Sequence, residues 1–270
     1  MSKEITNKTP TWDFHIHKIL NMSTLNDMIK FHQSTTWVRR NNHLAESPDL
    51  HRWLLNTQYT DTLQNIYEKE IPLNINQEVD FKGSKRKFTD ENLTYDEFSN
   101  LIYKSFGRDR ASESKSYSSA GALYPVMPII LILEENAFDE KNLLPGSYTF
   151  NPKTNSLRPL KAFSQNDLDE IAQMINSSDP VMLSKYCMGY AIDMKKSIAK
   201  YHRRGYRHAL IEIGLAAQSF KHHCHQLSHV GEVCWSGFDD NAFSHIIGMN
   251  PRIAPVALIQ WFGKYKENDS

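Results

Sequence analysis

The chain has 270 residues, 31 Lys+Arg against 31 Asp+Glu, and 40% hydrophobic with 23% charged residues. That is the balance of a soluble globular protein, long enough to bury about 70% of its surface. Zero net charge argues against a nucleic-acid binder, and the longest apolar run, residues 126–133, is broken by Pro128 and far short of the roughly 18 residues of a membrane helix. The opening Met1-Ser-Lys-Glu-Ile-Thr lacks a signal-peptide core, and three cysteines without CxxC spacing argue against a disulfide framework. A cytoplasmic protein without nucleic-acid or membrane partners is expected.

In chain order, residues 1–78 are polar with helical stretches at 25–32 and 50–68, and a charged segment at 79–88 marks the start of a main domain spanning 79–270. Thr94-Tyr-Asp-Glu97 is a capping box that predicts a helix with Phe98, Leu101, Ile102 and Phe106 as its apolar stripe and Gly107 as its terminus. After a polar loop and Ser118-Ser-Ala-Gly-Ala-Leu-Tyr-Pro125, residues 129–133 read as a buried strand. Residues 146–160 read as a hairpin turning at 151–155, and 164–176 as a second capped helix. A strand near 188–192 precedes the basic segment 195–207. The helix beyond carries Leu210, Ile213, Ala217, Phe220, Cys224 and Leu227 at spacings of three and four. Strand 230–235, helix 239–248 and strand 255–262 close the chain. Strands and helices alternate without the period of a doubly wound sheet, so the class is α+β.

Four segments carry candidate chemistry. Ser118-Ser-Ala-Gly-Ala122 places five small residues before a buried strand, either a tight turn or a loop that lets a ligand approach backbone closely. No GK[ST] and no GxGxxG occurs, which sets aside those two modes of nucleotide binding. In Lys200-Tyr-His-Arg-Arg-Gly-Tyr-Arg207 four cations crowd together; mutual repulsion lowers a lysine pKa, and a lysine so poised beside a tyrosine can move a proton, the alternative being a solvated basic turn. His222, His225 and His229 share a helical face but lack a fourth ligand, so no metal is expected. Trp235-Ser-Gly-Phe-Asp239 runs a strand into an Asp-capped helix, a ligand-facing end or a plain connection.

Together these segments resemble the SagB/McbC-type azoline dehydrogenases of the nitroreductase-like flavoprotein superfamily, the microcin-type subgroup above all. The resemblance covers residues 82–264 and rests on Ser118-Ser-Ala-Gly-Ala-Leu-Tyr-Pro125, on Lys200-Tyr201 with Arg204-Gly-Tyr-Arg207, Ala209, Leu210, Glu212 and Gly214, and on Ser236-Gly-Phe-Asp-Asp240 with Gly248 and Gln260-Trp-Phe-Gly263. It implies a nitroreductase-like homodimer with FMN at the subunit interface; the N-terminal segment 1–78, mainly helical by its own pattern, lies outside the resemblance and is a candidate docking region. Ser84 and Arg86 would lie near the flavin phosphate. Ser118, Ser119, Ala120 and Gly121 would contact flavin, often across subunits, and Trp235, Ser236 and Gly237 would lie near its ring system. Lys200 and Tyr201 match the catalytic pair. The implied activity is oxidation of thiazoline or oxazoline rings in a ribosomal precursor peptide, as in bacteriocin biosynthesis, with reoxidation by dioxygen and assembly with a cyclodehydratase. Ser118 stands where the family usually has proline, Lys82-Gly83 where the superfamily often has two arginines, and Leu227-Ser-His-Val230 where a Gly-rich turn is usual. The alternatives are an NAD(P)H-dependent nitro or quinone reductase of the same fold and a non-catalytic subunit of a peptide-modifying complex.

Overall fold

A computed structural model describes residues 16, 18–38, 47–57, 59–63, 66, 68–77, 83–175 and 182–266. At its centre is a six-stranded sheet of order β3-β2-β1-β4-β6-β5, antiparallel throughout. Its strands are β1 (Val126–Ile132), β2 (Gly146–Asn151), β3 (Ser156–Ala162), β4 (Tyr186–Ile192), β5 (Val230–Trp235) and β6 (Val256–Lys264). Strand β4 is buried along its whole length, so Tyr186-Cys-Met-Gly-Tyr-Ala-Ile192 is apolar on both faces rather than alternating.

Seven helices are used below: α1 (Met22–Thr35), α2 (Pro48–Thr57), α3 (Tyr95–Phe106), α4 (Gln165–Met174), α5 (Met194–Tyr201), α6 (Arg203–Cys224) and α7 (Asp240–Ile246). One core cluster gathers Phe98, Phe106, Tyr190, Phe220 and Phe262, with α1, α3, α5 and α6 contributing. The other gathers Leu168, Ile171, Phe243, Ile246 and Trp261, with α4 and α7 contributing. Full burial of each such side chain contributes about 1.5–3 kcal/mol. The result is the α+β arrangement the sequence predicts.

Local signals located most elements. Both sides of the Thr94/Glu97 capping box form, as do those of Ser164 and Asp167 at α4. Gly107 ends α3 by donating its N–H to Tyr103 O at 2.8 Å. The expected helix at 50–68 is shorter: α2 stops at Thr57, Tyr59 turns left-handed at φ 65°, and no described residue from 59 to 77 is helical. Leu63 and Ile66 find no core to join and stand 79% and 93% exposed. The stripe of α6 also differs from expectation. Tyr206, Ala209, Ile213, Ala216, Ala217, Phe220 and Cys224 are buried, whereas Leu210 is exposed together with Ile211 and Leu215. Asn176 lies outside the described residues.

The described residues divide into two compact units, one drawn from Met1–Arg39 and Ser84–Ser270, the other from Arg40–Gly83. Helix α1 therefore belongs with the fold that follows it rather than with a separate segment 1–78. Its Leu25, Ile29 and His32 are buried, and its polar side chains reach two later helices. Asp27 pairs with Arg203, and His32 Nδ1 lies 2.8 Å from the Tyr206 hydroxyl. Gln33 and Asn241 exchange amide hydrogen bonds of 3.0 and 2.9 Å. Trp37 and Asp240 are joined twice, by Trp37 N–H to the Asp240 carboxylate at 2.8 Å and Asp240 N–H to Trp37 O at 3.2 Å.

Burial pushes the Asp240 carboxyl from 3.8 up to about 6. A carboxyl whose folded pKa is raised binds more protons folded than unfolded, so its contribution is greatest below the unfolded value and is lost as pH rises through the folded one. Asp240→Asn keeps an oxygen for the Trp37 N–H and removes the titration. Urea unfolding should therefore find the wild type losing stability relative to the variant as pH rises from 3.8 through about 6. A stability difference that stays constant across that window would contradict this role for Asp240.

Candidate active site

The small-residue segment forms a tight turn in front of β1, with a short 3₁₀ turn at Ala120–Ala122. Three of its residues are left-handed: Gly121 at φ 61°, Ala122 at φ 54° and Tyr124 at φ 47°. Glycine takes that conformation freely, while the other two carry about 1–2 kcal/mol of strain each. Hydrogen bonds hold the turn in place. Tyr124 N–H donates to Ser119 Oγ at 2.8 Å and Ala122 N–H to Ser119 O at 3.1 Å. Beyond the turn, Val126 N–H donates to Glu212 Oε1 at 3.3 Å.

Glu212 is a buried carboxylate on α6, only 2% exposed. Burial raises its pKa, while the Ser119 hydroxyl, the Val126 N–H and the charges of Lys115 and Lys196 oppose the rise. The two lysines respond in the opposite sense: burial brings Lys115 down to about 8 and lowers Lys196. The Lys196 ammonium donates to Tyr124 O at 3.4 Å. The Tyr124 ring lies 4.6 Å from the Arg108 guanidinium and 5.5 Å from the Lys115 ammonium, and its hydroxyl accepts the Lys115 N–H at 3.1 Å.

Lys200 and Tyr201 occupy the last turn of α5. His202, at φ 49°, breaks the chain between α5 and α6. The two helices then cross so closely that a Cβ on Gly205 would sit 1.9 Å from Ser197 O, a distance only glycine permits. The crossing returns the pair to the turn described above. A Cβ on Gly121 would lie 2.5 Å from Tyr201 Oη and 2.9 Å from Lys200 Nζ. The Lys200 ammonium stands 5.2 Å from the centre of the Tyr201 ring, and the His208 ring meets the same tyrosine edge to face at 4.9 Å. Gly121 and the Lys200–Tyr201 pair thus converge within one chain.

The remaining expected site residues lie elsewhere. Lys85 N–H bonds Glu232 O at 2.9 Å and Thr89 N–H bonds Lys264 O at 2.8 Å, so the segment carrying Ser84 and Arg86 runs beside β5 and β6 with both side chains exposed. Strand β5 ends at Trp235, whose indole N–H donates to Gly237 O at 2.9 Å, and Ser236 is exposed. Among the described residues no hydrogen bond or ion pair joins Ser84, Arg86, Ser236 or Gly237 to the Gly121 turn. A cavity of about 390 Å³ between α3 and the β2–β3 hairpin, lined by Phe98, Tyr103, Phe150 and Leu157, contains none of these residues. His222 Nε2 lies 2.9 Å from the Gln226 amide, Cys224 is buried in the core, and among the described residues no three His, Cys, Asp or Glu side chains converge.

Sequence reasoning quoted Tyr124 and Glu212 only as positions within the family motifs and gave no role to them, to Lys115 or to Lys196. The available signal was a glutamate inside the apolar stripe of α6, next to Ile213 and between Ala209 and Ala216, where an ionisable side chain needs partners.

No family model matches the sequence. The chain is 27% identical over 187 residues to the microcin B17-processing protein McbC of Escherichia coli, a match covering 67% of this chain and 66%, just under two thirds, of that protein. The fold superposes with a TM-score of 0.81 and 21% identity on one chain of the E. coli microcin synthetase McbBCD complex with truncated pro-MccB17 bound, covering 97% of this chain and 99% of that one. A putative nitroreductase from Ralstonia eutropha gives a TM-score of 0.56 at 13% identity, over 86% of this chain and 90% of that one. The chain has a nitroreductase-like α+β fold and is similar in sequence, over two thirds of its length, to McbC.

Proposed function

We propose that this protein is an FMN-dependent dehydrogenase that oxidises thiazoline or oxazoline rings of a ribosomal precursor peptide to thiazoles or oxazoles, working beside the cyclodehydratase that forms those rings. The observation that carries this reading is the approach of Lys200 Nζ and Tyr201 Oη to a left-handed glycine in a small-residue turn, in a chain similar in sequence to McbC. Backbone bare of side chains beside two proton-transfer groups suits a flat cofactor with a ring substrate stacked on it. Ser118, Ser119, Ala120 and Gly121 would line the cofactor's face, Ser84 and Arg86 would hold its phosphate, and Trp235, Ser236 and Gly237 would flank its ring. Bound FMN would supply the two-electron acceptor.

The carbonyl and imine beside an azoline's ring carbon acidify its proton. Loss of that proton to Tyr201 Oη or Lys200 Nζ, with a hydride leaving the neighbouring carbon, removes two hydrogens and two electrons and makes the ring aromatic. Both groups meet at the same point of the turn, so either is placed to take the proton. Their task is to receive it and to keep the ring over the turn.

We also propose a homodimer. The face of Leu210, Ile211 and Leu215 on α6 is 41%, 55% and 41% exposed, and it follows directly on the pair. A second copy seated there would cover that apolar face, and a flavin held at the subunit interface, as the family resemblance implies, would be shared between the two copies.

Three outcomes test the proposal. Lys200→Ala and Tyr201→Phe should fold and stay yellow yet lose on the order of a hundred- to ten-thousand-fold in ring oxidation. With precursor and cyclodehydratase supplied, mass spectrometry should then show water loss without the further loss of two hydrogens per ring; near-normal azole formation by both variants would remove the pair from the chemistry. Gly121→Leu, forced into a left-handed backbone and into Tyr201 and Lys200, should purify with depleted FMN; full occupancy in a normal dimer would overturn the placement of the turn. Ile211→Glu should shift the protein to monomer in sedimentation and release its flavin together, whereas a flavin-loaded monomer would contradict a shared site. A same-fold NAD(P)H reductase would instead show rapid bleaching of bound flavin by NAD(P)H.

A further inference from the structure

We propose that Glu212 is a positioning residue that fixes the Ser118–Gly121 turn against Lys200 and Tyr201; this rests on the reading of that pair as the proton-transfer groups. Glu212 sits on α6, the helix that begins immediately after the pair, so one rigid element carries the anchor and adjoins the groups it serves. Its carboxylate takes the Val126 N–H at 3.3 Å, on the β1 side of the turn, and the Ser119 hydroxyl, on the other side, helps to hold its pKa down. Ser119 Oγ accepts the Tyr124 N–H at 2.8 Å. One buried side chain therefore grips the β1 end of the turn directly and bears on the other end through Ser119, across a segment whose Gly121, Ala122 and Tyr124 are all left-handed. Without that grip, Ala122 and Tyr124 relax toward ordinary conformations and Gly121 moves off the Tyr201 hydroxyl. A displacement of about 1 Å at a reacting group costs on the order of a hundredfold in rate.

The test uses the full chain with three variants. Glu212→Ala removes the anchor, Glu212→Gln keeps an oxygen acceptor, and Ser119→Ala cuts one arm of the grip while leaving Glu212 in place. Hydrogen exchange comes first, because it needs neither cofactor nor substrate. Amide protection at Ala122, Tyr124 and Val126 should fall at least tenfold in Glu212→Ala, and protection along β4 should not. Single-turnover azoline oxidation should fall about ten- to a hundredfold with peptide KM changed less than twofold, and Glu212→Gln should recover most of it. Uniform loss of protection across β4 and the turn would reduce Glu212 to a stability residue. A loosened turn with wild-type turnover would likewise overturn the positioning role. Should Glu212→Ala fail to fold, Ser119→Ala decides by the same two readouts, with Tyr124 and the turnover rate reporting. A wild-type protein that oxidises no azoline removes the function proposed above, while the exchange data still decide whether Glu212 holds the turn.

Discussion

Everything at the candidate site depends on one turn that is held left-handed at Gly121, Ala122 and Tyr124 while two polar side chains press against it. Position 121 meets those side chains, and only glycine fits there. The strain at the other two positions, about 2–4 kcal/mol together, needs compensation. The Tyr124 N–H bond to Ser119 offers about 1 kcal/mol and the Val126 N–H bond to the Glu212 carboxylate about 1.5–3. The burial of Glu212 in turn calls for opposite charge beside it. Lys115, Lys196 and Arg108 gather around this turn for that reason, and the Tyr117 and Tyr124 rings give the ammonium and guanidinium groups a face to rest on. A buried carboxylate thus recruits a cationic shell into a chain whose net charge is zero.

The other half of the site is set by helix geometry. Lys200 and Tyr201 end α5, and the left-handed His202 together with the close crossing at Gly205 turns α6 back along it. Helix α1 then reaches the start of α6 through Asp27 and His32, and the start of α7 through Gln33, with Trp37 just beyond its end adding a further bond. Since α7 follows the Trp235–Gly237 end of β5, α1 ties the chain beyond the proton-transfer pair to the chain beyond β5. Burial lowers the His32 pKa, and among the described residues its Nε2 has no hydrogen-bond partner, so the neutral ring is the form that fits this joint.

What was legible in the sequence was what is local. Capping boxes at Thr94 and Ser164 mark helix starts because the partners are three residues apart. The Gly121 turn is visible because small residues crowd before an apolar strand. The α+β class followed from the order of such signals. The face of α6 was less legible: spacings of three and four accommodate Leu210 as well as Ala209 in the first turn. The choice between them is made by the crossing with α5, which no window along α6 contains. The shortness of α2 has the same origin, since residues 59–66 satisfy helical spacing but have no core to pay for the ordering.

Glu212 was illegible for a more instructive reason. Read as a residue type it is a break in an apolar stripe, and a break of that kind is ordinarily a solvent-facing position. Its burial becomes sensible only when Ser119 and Val126, 93 and 86 residues earlier, are brought to it. An uncompensated buried carboxylate would cost several kcal/mol, so the helix and the turn are not independent features. Neither the burial of Glu212 on α6 nor the left-handed path before β1 is tolerable without the other. The same pairing carries Gly121 to Tyr201. The turn before β1 and the helix that faces it are therefore coupled by one contact between segments that are distant in sequence.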